Sequence, residues 1–500
     1  MNRQIRRVSV FVGILMLAVI LNLNWVQVLH GTSYRDNAAN QRVALDDYKR
    51  QRGSIVLQGS GTAISESVVT KDALTYLRTY QNGPLYATVT GFNSILYGNT
   101  EIESAEDSVL SGNDDRFFVQ RLTNLLTGRD PRGGNVLLTI NKQAQTAAYQ
   151  ALGGRRGAVV ALDPATGAVL AAVSTPSYDP AKLSSHSTTG IKKAWNAYLN
   201  DKDNPLSNRA FTETYPPGSV FKVIVSAAAL KAGKSPSSVI AAPNALTLPG
   251  TSTQLRNFAG EQCANGSTDT LIHALTISCN TAFAQLGMDL GTSRVRSEAD
   301  LFGINDSDFT IPVRVAGSTI GPVVDKAALA QTSIGQRDVR ITPLQAAMIS
   351  AAVANQGTLL TPYLVAEEQG PNLATLSKAT PQILSQPLSP SQADQLTTMM
   401  ESVVQSAQGT GQAAQIPGIT VAGKTGTADN GPQKADGTYI NPPHAWFSGF
   451  APAARPRIAV AVFLENGGVA GNETTGGLAA APVAKQVMQA YLSSIGVKGN

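Results

Sequence analysis

Tyr215-Pro216-Pro217-Gly218-Ser219-Val220-Phe221-Lys222 decides how the chain is to be read. Two prolines and a glycine cannot sit inside a helix, but they can end just before one. The residues that follow, Val220 to Leu230, are apolar except for Lys222 and Ser226. A helix that is apolar nearly all round is a buried helix. Ser219 is therefore expected at the start of a buried helix, with Lys222 on the same face one turn later. Burying a lysine is costly as the cation, so its pKa falls, and the neutral amine can take a serine proton. Backbone N–H groups and the positive end of the helix dipole add to the site. Taken alone, the same residues also read as a helix cap and a surface lysine.

Two further polar clusters follow. Ser278-Cys279-Asn280 falls between the helical stretches Asp269 to Leu275 and Thr281 to Leu286. Short polar side chains there suit a loop aimed into a cleft, with a serine that passes a proton and an asparagine that holds both an amine and a substrate amide. Gly423-Lys424-Thr425-Gly426-Thr427 closes the apolar stretch Ile419 to Ala422. An edge strand offers unpaired N–H and C=O groups to an extended peptide. Gly426 lets a ligand approach the backbone closely. Lys424, Thr425 and Thr427 suit a carboxylate. Each cluster alone reads as an ordinary cap or turn. Ser-x-x-Lys, Ser-x-Asn and Lys-Thr-Gly in that order, each in a fitting local context, point jointly to a serine acyl-transfer site.

The remaining sequence sets the frame. Five hundred residues, 43% of them apolar, suggest two or three folded domains. The formal charge of +5 comes from scattered basic residues and gives no nucleic-acid signature. Two cysteines and four histidines show no zinc-ligand spacing, so neither a metal nor a cofactor is expected. Arg3, Arg6 and Arg7 precede an apolar run from Val8 to Leu29 without a small-x-small cleavage site. This predicts one uncleaved membrane anchor at 8–29, residues 1–7 cytoplasmic and the rest outside the cytoplasmic membrane.

Between anchor and turn-rich Asp130-Pro131-Arg132-Gly133-Gly134, residues 30–134 read as a polar stalk and a small α+β pedestal. It opens on a hairpin, residues 52–57 and 62–65, and has a helical stretch at 104–126. From residue 135 to 500 the pattern is that of one catalytic domain. It has a short strand at 136–140, a helix at 142–152, a hairpin at 157–163 and 168–174, and a mostly helical middle to about 355. Three late strands, 419–427, 445–451 and 458–464, precede a last helix over 478–493. Two early and three late strands predict one antiparallel five-stranded sheet flanked by helices, in an α+β protein.

The sequence resembles the class B penicillin-binding proteins, and among them the penicillin-binding protein A branch of actinobacteria. The likeness extends beyond the three motifs. It includes Arg52-Gly53-x-Ile55, the hairpin Gly157 to Gly167, Ser278-Cys279-Asn280-Thr281-Ala282-Phe283 and Ile334-Gly335-Gln336. It also includes Thr342-Pro343-Leu344-Gln345 and Ala445-Trp446-Phe447-x-Gly449-Phe450. The resemblance implies a D,D-transpeptidase that cross-links peptidoglycan stem peptides through an acyl-enzyme and is inhibited by β-lactams. It implies a D-Ala-D-Ala donor, an amine acceptor, a polytopic membrane glycan polymerase and cell-division or elongation proteins as partners. Ser219, Lys222 and Ser278 would then be catalytic. Asn280, Lys424, Thr425, Gly426 and Thr427 would bind substrate.

A D,D-carboxypeptidase or a class D-like β-lactamase would use the same motifs; the Glu-x-x-Leu-Asn element of class A enzymes is not found. A β-lactam sensor needs a cytoplasmic module that seven residues do not supply. Cys263 and Cys279 form a candidate disulfide that would brace the Ser278 loop. Glu261, Asp338 and Glu465 are left as candidates for lining a cleft, and Trp446 and Phe447 as sheet core.

Overall fold

The computed structural model describes residues 2–30, 48–118, 123, 126–127, 132–304, 308–433, 439–467 and 475–497. Of the expected stalk, residues 30 to about 50, the part 31–47 lies outside the described residues, as does the Asp130-Pro131 turn.

The predicted five-stranded sheet is present, fully antiparallel. Its order is Ala422–Gln433, Tyr439–Ala451, Ile458–Leu464, Gly157–Leu162, Val169–Thr175. The hairpin made early in the chain meets the late strands through Ile458–Leu464, where Val462 lies opposite Val159 and Val460 opposite Ala161. Both faces of these central strands are covered, which is why they read as unbroken apolar runs. Val159, Ala161, Val460 and Val462 pack on the helices Lys142–Leu152 and Ala481–Ser494. Ala158, Val160, Ala461 and Phe463 face the other side, where Pro343–Ala354 packs on these strands. Trp446 and Phe447 are fully buried in this sheet, one on each face. Ala422–Gln433 is left as the edge.

The second sheet is shared along the chain more widely than the sequence suggests. Its order is Thr375–Lys378, Val365–Gln369, Asn135–Leu138, Ile55–Leu57, Thr62–Val69, Tyr76–Tyr80. A domain limit at 134/135 therefore passes through a sheet: Asn135–Leu138 pairs in parallel with Ile55–Leu57 of the pedestal. Val365–Gln369, from the stretch after the helical middle where no element is expected, pairs on its other side. Arg52 anchors this layer. Its Nε donates to Glu103 Oε2 at 2.7 Å, and Arg78 Nε donates to Glu103 Oε1 at 2.7 Å. Burial alone would raise the Glu103 carboxyl; Arg78 and Arg52 more than offset it and hold it below its ordinary range.

Three expected elements change shape. The helix expected over 104–126 is broken in its first part into two short helices, Glu101–Ala105 and Asp107–Ser111, ended by Gly112 at φ +77°; residues 119–122 and 124–125 lie outside the described residues. Asp114 then caps a separate turn by accepting from Arg116 N. The final helix starts afresh at Ala481 because Pro482 is accommodated in a first turn but not further in. The edge strand begins at Ala422 rather than Ile419, since Ile419 N is spent on a turn to Ile416 O at 3.0 Å. It also runs on to Gln433.

At the N-terminus, the helix Asn2–Asn24 continues into one wider turn, Trp25–Leu29. Residues 3–27 are long and apolar enough to cross a membrane, with mean hydropathy 2.1, and none of the described residues covers them.

Candidate active site

A groove of about 740 Å³ opens between the edge strand and the helical region. Ser219, Ser278, Asn280, Thr425 and Thr427 all line it. Lys222, Lys424 and Gly426 lie immediately behind.

Ser219 is held by a tight 3₁₀ turn, Gly218–Phe221, that leads into the buried helix Lys222–Lys231. Gly218 has φ +53°, and a Cβ there would lie 2.4 Å from Thr427 O. A Cβ on Gly426 would lie 2.6 Å from Pro217 O. Both glycines therefore let the serine turn press directly against the edge strand. From behind, Gly218 N donates to Gly335 O at 3.0 Å. Gly335 belongs to the Ile334-Gly335-Gln336 stretch, which explains in physical terms why that stretch accompanies the serine.

Lys222 is fully buried. Its Nζ donates to Ser278 O at 2.7 Å, Asn280 Oδ1 at 2.7 Å and Ser278 Oγ at 3.3 Å. Burial pushes the amine well below its usual range, and the neighbouring Lys424 charge adds to the effect. Lys424 is also fully buried, and burial brings it down to about 7. Its Nζ donates to Ser278 Oγ at 2.8 Å and to Thr425 O at 3.0 Å.

Ser278 sits at φ +62°, a left-handed conformation that turns its carbonyl and hydroxyl toward the two lysines. Cys279 gives no side-chain cap to the helix Asn280–Leu290. The cap comes from outside: Asn257 Oδ1 accepts from Asn280 N at 2.9 Å and Thr281 N at 3.0 Å. Cys263 and Cys279 are joined by a disulfide, 16 residues apart in sequence. It ties the Asn257 loop to the Ser278 loop.

Sequence reasoning missed Asn257, Thr410 and Gln336. The first supplies the missing cap, and the other two line the groove. The one available signal was the lack of a capping side chain at Cys279. Of the three acids left open, Glu261 lines the groove. Glu465 pairs with Arg156 at 2.7 Å, and Asp338 with Arg337 at 3.1 Å; neither is in the wall.

A serine at a groove mouth, two buried amines behind it and an exposed strand edge beside it match a known arrangement. The penicillin binding protein transpeptidase domain matches residues 157–489. The chain belongs to the penicillin-binding protein transpeptidase family. Residues 52–136 match the penicillin binding protein A dimerisation domain. The chain is 46% identical over 497 residues to the peptidoglycan D,D-transpeptidase PbpA of Mycolicibacterium smegmatis, covering 98% of this chain and 99% of that one. It resembles the solved structure of penicillin-binding protein A from M. tuberculosis as its ceftriaxone acyl-enzyme complex, with TM-score 0.85 and 45% identity. The likeness covers 90% of this chain and 100% of the other. The penicillin G acyl-enzyme complex of the same relative gives TM-score 0.83 at 45% identity, covering 89% and 100%.

Proposed function

We propose that this chain is a serine D,D-transpeptidase that cross-links peptidoglycan stem peptides, with the following division of labour. Ser219 Oγ attacks the carbonyl between the two terminal D-alanines of a donor peptide. Lys222, its pKa lowered by burial and by the Lys424 charge, accepts the serine proton in its neutral form. The carbonyl oxygen, negative in the tetrahedral intermediate, lies between the backbone N–H groups of Ser219 and Thr427; removing a donor of this kind costs about 3–4 kcal/mol. Ser278 Oγ, within reach of both amines, returns the proton to the leaving D-alanine. Asn280 orients Lys222 and the donor peptide. Lys424, Thr425 and Thr427 hold the terminal carboxylate; Gly426, expected to bind substrate, instead turns its bare face to Pro217 and Val220 and lets the serine turn sit against the strand. An acceptor amine then attacks the acyl-enzyme.

The observation that carries this reading is Ser278 Oγ lying between two buried lysines in the wall that faces Ser219. β-Lactams enter as mimics of the donor and leave slowly. A fluorescent penicillin should label the wild-type chain and fail to label Ser219→Ala; retained covalent label on the variant overturns the assignment. A lasting adduct in an intact-mass time course separates this enzyme from a β-lactamase, which would clear it quickly.

Topology follows from charge. Arg3, Arg6 and Arg7 hold the N-terminus inside, the helix over residues 3–27 spans, and the pedestal and transpeptidase domain stand outside the membrane. The order tail 1–7, anchor 8–29, pedestal and transpeptidase domain serves that arrangement, with Asn135–Leu138 belonging to the pedestal sheet. It also presents the pedestal and anchor to a polytopic membrane glycan polymerase, with cell-division or elongation proteins as the wider partners.

A further inference from the structure

The groove contains a third hydroxyl beside the strand motif, and none of the three motifs includes it. Thr410 lies in the turn Gly409-Thr410-Gly411, which folds back on the helix Pro390–Gln405. Gly411 N donates to Val403 O at 2.9 Å, and a Cβ on Gly409 would lie 2.2 Å from the same carbonyl. The turn is thus closed down on the helix end and has little freedom. Thr410 N donates at 3.3 Å to Thr276 O, two residues before Ser278. Gly477 packs over it so closely that a Cβ there would lie 2.2 Å from Thr410 O. The side chain points the other way: Thr410 Oγ1 lies 2.6 Å from Thr425 Oγ1. Both threonines line the groove. Thr410 therefore fastens the Ser278 wall, through its backbone, to the edge strand, through its hydroxyl.

A hydroxyl has one proton and two lone pairs. If Thr425 donates to Thr410, its only proton is used, and an arriving carboxylate meets a lone pair. If Thr410 donates to Thr425, the Thr425 proton is free to point into the groove. An anionic ligand favours the second arrangement, and each bond in such a chain polarises the next. A neutral ester gains much less from it, because hydrogen bonds to a charged acceptor are about twice as strong.

We propose that Thr410 is a positioning residue that donates to Thr425, so that Thr425 donates to the donor peptide's terminal carboxylate and the pair selects a free carboxylate over a neutral C-terminus. Lys424 is brought by burial to about 7, so its charge is incomplete at neutral pH and the hydroxyl pair has a distinct share of the recognition. The inference rests on the reading of Thr425 as a carboxylate ligand.

The test compares second-order acylation by benzylpenicillin and by its methyl ester, read by competition with a fluorescent penicillin. Thr410→Val keeps the shape and removes the proton. It should lower the rate with the acid by about 10-fold or more and with the ester by less than about 3-fold. Thr410→Ser should restore the preference. An unchanged rate with the acid, or equal losses on acid and ester, overturns the proposal. Thr425→Val separates the two levels. If it erases the preference while Thr410→Val does not, the Thr410 role alone fails. If neither changes it, the carboxylate assignment fails as well. Should Thr410→Val not fold, Thr410→Cys, with a weak donor of similar shape, reads the same ratio.

Discussion

Lys222 and Lys424 reach one hydroxyl: Ser278 Oγ accepts from Lys424 Nζ at 2.8 Å and from Lys222 Nζ at 3.3 Å. Two buried amines that close do not both keep a full charge. Burial lowers both, and the Lys424 charge lowers Lys222 further. The two roles separate on that basis, with Lys222 as the neutral base and Lys424 as the group that retains a proton for an anion.

Acylation should therefore rise and fall with pH. At acid pH Lys222 takes up a proton and loses its ability to accept one, so the rate drops. As pH rises through about 7 Lys424 loses its proton and the carboxylate loses a cationic partner. The two limbs belong to the pair rather than to single residues. The measurement is the second-order acylation rate between about pH 5 and 9. Lys424→Arg, which stays charged throughout, should remove the alkaline limb if it folds. A flat profile in the wild type would contradict the assignment of both amines.

Gly335→Ala should harm the enzyme although Gly335 itself does not line the groove. The new Cβ would lie 2.0 Å from Gly218 O, and the backbone there has φ +71°, which side chains resist. Something must shift, and Gly218 is the residue before Ser219. The expected stability loss is about 1–3 kcal/mol. The labelling rate of the folded protein should drop by far more than Gly335→Ala changes its melting temperature. A variant that labels at the wild-type rate would show that the Gly218 backbone has slack.

Asn257→Ala removes the outside cap of the helix Asn280–Leu290. Two backbone N–H groups lose their acceptor, which should cost about 1–2 kcal/mol. Acylation should slow because Asn280, which holds Lys222, is the first residue of that helix. Asn257→Asp keeps an acceptor at the positive end of the helix and should recover most of the loss. A double-mutant cycle with Asn280→Ala should show non-additive effects on the acylation rate. Additive effects would mean that Asn257 acts elsewhere.

The cysteine pair makes a separate prediction. Cys263 and Cys279 are both buried, so alkylation without reductant should leave the mass of the folded chain unchanged. Cys263→Ser/Cys279→Ser should lower stability by about 3 kcal/mol, the loop-closure cost for a ring of this size. Alkylation at either cysteine in the unreduced, unfolded chain would rule the bond out.

The legible parts of this protein were those in which local chemistry and local structure coincide. Ser219 and Lys222 could be placed because prolines, a glycine and an apolar run mark one helix start. Four strands of the central sheet were visible as apolar runs, because both of its faces are covered; the edge strand Ala422–Gln433 was marked instead by its Lys-Thr-Gly cluster. Contacts between distant segments were not legible. Val365–Gln369 joins the pedestal sheet, yet nothing in its sequence names Asn135–Leu138 as its neighbour. Asn257 caps a helix it does not precede, and Thr410 sits in a Gly-Thr-Gly turn like many others. Glu106, with helix-compatible chemistry, breaks the 101–111 segment at φ −109°, ψ 23°, where tertiary packing overrides propensity.

Glu103 tests whether the pedestal is a support distinct from the chemistry. Its carboxylate is fully buried and accepts from Arg52, Arg78, Ser65 Oγ at 3.2 Å and Tyr80 OH at 3.1 Å. Arg78 also donates to Gly53 O at 2.6 Å, which ties the second strand pair to the Arg52-Gly53 turn. Removing this acid leaves the buried Arg78 without its carboxylate and Arg52 with Asp107 at 2.7 Å, so Glu103→Ala should cost about 3–5 kcal/mol in chemical unfolding of the detergent-solubilised chain. Replacing the whole set with apolar residues of similar volume should cost much less, because the pair's desolvation penalty goes with it. Neither change touches a groove residue. The penicillin acylation rate, corrected for the folded fraction, should therefore remain that of the wild type. A loss of rate in Glu103→Ala protein that is still folded would show instead that the pedestal sets the geometry of the groove.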